Sequence, residues 1–100
     1  MTLPREHRVA AIRAALEATL APLHLEIEDE SHRHAGHAGA RDGRGHFKVA
    51  VVSAVFAGLN PIARHRAVYA ALGELMTTDI HALSIQARTP AEAGSHQAAE

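Results

Sequence analysis

The chain has 100 residues, no cysteine, 47% apolar but only 3% aromatic residues, and a formal net charge of -1. That length allows one domain, which buries roughly 60–70% of its unfolded surface around a core of Val, Ile, Leu and Ala. The composition excludes disulfides and thiolate metal sites of the chain's own, and the charge argues against an affinity built on neutralising many phosphates.

No apolar run approaches a membrane span, and the first 22 residues lack the pattern of a signal peptide, so the expectation is a cytoplasmic protein with no membrane contact. The opening is Arg-rich, yet Val9, Ile12, Leu16 and Leu20 recur at helical spacing. A first helix is therefore expected from Pro4 to Thr19, closed by Pro22. LHLEIEDE follows, in which Leu23, Leu25 and Ile27 alternate with His24, Glu26 and Glu28. That is the period of a strand with one dry face. Residues 31–45, SHRHAGHAGARDGRG, carry four glycines and no apolar period, and read as a long loop of the kind that more often serves a function.

HFKVAVVS reads as a second strand, with Phe47, Val49 and Val51 on one face and His46, Lys48 and Ala50 on the other. Two strands joined directly by a loop are most simply antiparallel. Asn60 is placed as an N-cap with Pro61 at the first helical position. The helix PIARHRAVYAALGELM is expected to bury a stripe of Ile62, Tyr69, Leu72 and Met76, widened by Val68 and Leu75. IHALSIQAR is the third strand, and residues 93–100 are expected to form a flexible tail beyond a domain spanning 1–92.

The second strand, this helix and the third strand make a strand-helix-strand unit, so the outer two are expected to be parallel with a right-handed crossover. The third strand then begins at the sheet end that carries the loop, which brings His81 toward ESHRHAGH. Alternation puts His81 on the helix-covered face with Leu83 and Ile85, and His46 on the opposite face, a poorer co-ligand than a loop histidine. Neutral imidazole suits zinc, copper, nickel and iron. His32, His34 and His37 alone lie on a loop with no preset geometry, which predicts weak metal binding. Two histidines can also replace two cysteines on one iron of a cluster, but a second molecule must then bring the thiolates. There is no GxSxG, P-loop, GxGxxG or HExxH, and no cysteine nucleophile, so no enzymatic activity is expected.

ESHRHAGH, GHFKVAVVS, Phe56-x-Gly58, RHRAVYAAL and IHALSIQARTPAE, in this order and at these separations, closely resemble the BolA family over residues 5–92. The resemblance implies an α/β fold related to the type II KH arrangement, a three-stranded mixed sheet with helices mainly on one face. It also implies a monothiol glutaredoxin as partner, sharing a [2Fe-2S] cluster whose thiolates come from the glutaredoxin and glutathione, with none expected in the isolated chain. The family pattern makes His81 one ligand and a loop histidine the other, His34 by its match to ESHRHAG or His37 as its rival. Some members are described as DNA-binding regulators of stress response and morphology, for which Arg64, Arg66 and Lys48 are the candidates. The chain alone is expected to be monomeric.

Overall fold

The computed structural model describes residues 3–31 and 44–98. In chain order they form α1 (Arg5–Leu20), β1 (His24–Asp29), β2 (Gly45–Val52), a 3-10 turn (Ala54–Phe56), α2 (Pro61–Leu72), α3 (Leu75–Thr78), β3 (Ile80–Arg88) and α4 (Pro90–Ala98). The sheet has the order β1-β2-β3, with β1 antiparallel and β3 parallel to the central β2. This is the mixed three-stranded α/β arrangement expected from the strand-helix-strand unit.

Alternation decides what each face meets. Phe47, Val49 and Val51 are buried, and so are Ile12, Leu16 and Leu20 of α1 and Val68 and Leu72 of α2, all in one core with Phe56 and Ile80. Leu25 and Ile27 of β1 and Leu83, Ile85 and Ala87 of β3 pack against it. The opposite sheet face carries His24, Glu26 and Glu28, with Glu28 directly across from Lys48. Five of the ten buried apolar residues come from α1 and α2 and pack with Phe47, Val49 and Val51 of β2, so the helices gather on the side of the sheet that is apolar. At about 25 cal/mol per Å² of apolar surface removed from water, this shared face is the main stabilising contribution.

Local signals set the boundaries. The Asn60 side chain accepts from the backbone N–H of Ala63 at 2.8 Å, with Pro61 at the first helical position. Gly73, at φ 54°, stops α2 after Leu72, and α3 is a separate turn. Ser53 is buried between the sheet and α1, its Oγ donating to the carbonyl of Leu20.

Two expectations are corrected here. Ile62 is 65% exposed and Tyr69 42% exposed, so neither belongs to the buried stripe of α2. Val68 and Leu72 of the expected stripe are buried and Leu75 and Met76 pack against the core, with the small Ala67 and Ala71 there in place of Ile62 and Tyr69. The segment expected as a tail from residue 93 is also helical, since α4 continues to Ala98. Thr89 and Glu92 explain its start: the Glu92 N–H donates to Thr89 Oγ at 3.1 Å while the Glu92 carboxylate accepts from the Thr89 N–H at 2.9 Å. That reciprocal pair is a capping box.

Candidate functional site at the loop end of the sheet

The parallel register fixes which residues meet at one end of the sheet. Gly45 pairs with Ile80 and His46 with Ala82, which leaves His81 as an extra residue on β3 with no counterpart on β2. This is a β-bulge. Ile80 is buried at 1% exposure and Leu83 packs on the same core, although they are three positions apart. Strict alternation cannot put both on one face; the inserted residue does.

The bulge corrects the expected facing of His81. His81 is exposed and does not share the helix-covered face of Leu83 and Ile85. Its ring lies beside that of His46, with centroids 5.2 Å apart and planes tilted by 50°. His46, which alternation set apart from His81, is its neighbour. Arg44 completes the cluster, with Nη2 at 3.2 Å from His81 Nδ1 and Nη1 at 3.4 Å from the carbonyl of Thr77. Arg44 is not singled out by the sequence, because a lone arginine in a glycine-rich run carries no signal, and His46 is set aside there by strand alternation, because a bulge has no signal in composition.

His34 and His37, with His32, lie outside the described residues. The two ends of their connection are nevertheless fixed. Ser31 Oγ accepts from the His46 N–H at 3.1 Å, and the Glu30 N–H donates to the His46 carbonyl at 2.8 Å. Gly45 N–H donates to the Asp79 carbonyl at 2.9 Å. The segment therefore leaves and re-enters the sheet at the end where β3 begins and His81 stands. Gly45 is required there by space, since a Cβ would lie 2.7 Å from both the Phe47 ring and Ser31 Oγ.

A buried ion pair braces the start of β3 from below. Asp79, 1% exposed, accepts from Arg8 Nε at 3.2 Å and from the Leu3 N–H at 2.7 Å, and Thr78 Oγ1 donates to its other oxygen. Burial pushes the Asp79 carboxyl up, but the bonds from Thr78, Leu3 and Arg8 together outweigh it and hold the group below its ordinary value.

The candidate nucleic-acid residues do not form one surface. Arg64 Nε donates to the Leu59 carbonyl at 2.9 Å and Nη1 to the Ala87 carbonyl at 3.2 Å. The same guanidinium grips the Glu92 carboxylate with both terminal nitrogens, at 2.7 and 3.1 Å. Arg64 thus ties α2 to the end of β3 and to α4, and the hydrogen bond to Glu92 raises its pKa further. Arg66 is exposed on α2, while Lys48 is exposed on the far face of the sheet. The sheet lies between them.

Among the described residues no group of three or more His, Asp or Glu side chains is placed to hold a metal ion, and no helix is long and apolar enough to cross a membrane. What the sheet end offers is imidazole, presented on a strand irregularity beside the ends of a histidine-bearing segment. The model of the BolA family, described as BolA-like protein, matches residues 16–92.

The chain belongs to the BolA family.

The human BolA-like protein 1 is 53% identical over 83 residues, covering 83% of this chain and 58% of that protein. The chain thus spans about three fifths of the length of such curated BolA relatives. The Escherichia coli protein named DNA-binding transcriptional regulator BolA is 41% identical over 78 residues, covering 78% of this chain and 71% of the relative. The solution structure of mouse BolA1 superposes with a TM-score of 0.76 at 44% identity, covering 97% of this chain and 75% of the other. The mouse BolA1 structure shares the α/β fold described above.

Proposed function

We propose that this BolA-family protein is a non-enzymatic adaptor that docks on a monothiol glutaredoxin and contributes histidine ligands to a bridging [2Fe-2S] cluster, in cluster maturation or iron-status signalling. The single observation that carries the reading is the exposed His81 on its bulge, at the sheet end where the segment bearing His34 and His37 is anchored.

The donor set fits half of such a site. Imidazoles can take two positions on one iron, while a chain with no cysteine leaves the remaining positions to thiolates of a partner. His81 is the assigned ligand and His34 or His37 the second; glutathione and the glutaredoxin cysteine are the expected thiolates. When bound, the cluster supplies electron storage at a potential that neutral imidazole raises relative to thiolate. The compartment in this reading is the reducing cytoplasm, where such thiolates persist.

The test mixes the protein with a cluster-loaded monothiol glutaredoxin and records visible absorption and circular dichroism for the wild type, His34→Ala, His37→Ala and His81→Ala. The expected result is a heterocomplex spectrum that His81→Ala abolishes and one of the loop variants alters. A spectrum indifferent to His81→Ala removes the assignment.

The printed name of the Escherichia coli relative supports a second reading, binding to DNA. Against it, Arg64 is committed to Glu92 and two backbone carbonyls, and Lys48 and Arg66 lie on opposite faces. A duplex DNA titration at two salt concentrations discriminates: binding that persists near about 100 mM salt would favour it.

A further inference from the structure

The contact between Arg44 and His81 has a chemical direction. A guanidinium carries only N–H donors, so at 3.2 Å the Nδ1 of His81 must be the acceptor. A neutral imidazole that accepts at Nδ1 carries its proton on Nε2. In this arrangement Arg44 occupies the one ring lone pair, and the other nitrogen bears a hydrogen.

A metal ion needs a ring lone pair. Ligation through Nδ1 breaks the bond to Arg44 outright. Ligation through Nε2 requires that nitrogen to release its proton to solvent and Nδ1 to take one up, after which an N–H faces the guanidinium N–H groups, donor against donor. Both routes require the guanidinium to move. Its second contact, Nη1 toward the Thr77 carbonyl at the end of α3, anchors it against doing so.

We propose that Arg44 is a positioning residue for His81: it fixes the Nε2–H tautomer and withholds both ring nitrogens from metal until the guanidinium is drawn away. The inference rests on the reading of His81 as a ligand and adds how that ligand is kept from binding ions while the chain is alone.

The experiment uses the full chain without any partner, with Zn2+ alone as probe, at about pH 8, above the reference imidazole pKa. Long-range 1H–15N spectra of the imidazoles resolve each histidine, so zinc taken by the other histidines does not obscure His81. In the wild type, Nδ1 of His81 should show the signature of an unprotonated acceptor and Nε2 that of a protonated nitrogen. Arg44→Ala should let the tautomers mix and move the zinc midpoint read at His81 about tenfold lower, the effect of losing one competing hydrogen bond of roughly 1.4 kcal/mol. Arg44→Lys keeps a charge and a donor and should fall between the two. Backbone amide spectra of the variants establish that the fold is intact. A wild-type His81 protonated at Nδ1, or one zinc midpoint shared by the wild type and Arg44→Ala, overturns the proposal. Failure of the cluster reading appears separately, as a glutaredoxin-complex spectrum indifferent to His81→Ala.

Discussion

Arg8 and Asp79 form an ion pair at 3.2 Å with both residues almost fully buried, 4% and 1% exposed. It joins the start of α1 to the residue before β3, and the Asp79 carbonyl receives the Gly45 N–H. Replacing such a pair by apolar residues can cost little, but removing one partner leaves a buried charge uncompensated. Asp79→Asn keeps the shape and deletes the charge, and it should destabilise the domain by about 3 kcal/mol in urea unfolding. The same variant should move the amide resonances of Gly45 and His81, because the brace under the bulge is loosened.

The pairing of Arg64 with Glu92 makes the docking of α4 dependent on acid. The bond from Arg64 and the bond from the Thr89 N–H lower the Glu92 pKa from 4.5 to about 2. A group whose folded pKa is depressed contributes stability that is complete above its unfolded value and disappears as pH falls through its folded value. Amide exchange protection in α4 should therefore be unchanged from pH 7 to 5, decline below about 4.5 and be lost near 2. Glu92→Gln should flatten that dependence, and an unchanged pH profile in the variant would refute the link.

Gly45 tests whether the sheet end is packed as tightly as its contacts imply. A methyl group there meets the Phe47 ring and Ser31 Oγ at 2.7 Å, inside van der Waals contact. Phe47 is buried and Ser31 Oγ is held by the His46 N–H, so neither can yield cheaply. Gly45→Ala should cost about 1–3 kcal/mol, the range for overpacking, measured as a lower urea midpoint with unchanged slope. A neutral result would mean that β2 can shift at its first residue.

What the sequence discloses follows from which rules are local. The strand alternation of Leu25 and Ile27, of Phe47, Val49 and Val51, and of Leu83 and Ile85 is legible because a period of two needs no tertiary information. The Asn60-Pro61 start of α2 is legible for the same reason. From these pieces the parallel pairing of β2 with β3 follows, and with it the placement of His81 at the loop end. The bulge is not legible: it inserts one residue into a pairing that only the folded sheet defines, and that insertion turns His81 out of the face of Leu83 and sets it beside His46. Arg44 is missed because its role lies in its reach to His81, 37 positions away. The helix at residues 90–98 carries a signal that apolar periodicity overlooks, the Thr89 and Glu92 capping box, because small residues give no apolar stripe.

The facing of α2 separates the two ways of reading its sequence. A stripe of large apolar residues makes Ile62 and Tyr69 core positions, whereas the structure buries Val68 and Leu72 and leaves Ile62 65% exposed. Truncating a buried leucine removes its transfer free energy and leaves a cavity, so Leu72→Ala should cost about 2–5 kcal/mol. Ile62→Ala removes surface already in water and gains helix propensity, so it should change stability by less than about 0.5 kcal/mol. Tyr69→Ala, at 42% exposure, should lie between the two, closer to Ile62→Ala. Urea unfolding of the three variants orders them directly. A large loss at Ile62 in the isolated chain would mean that the helix is rotated toward the stripe that its large residues suggest.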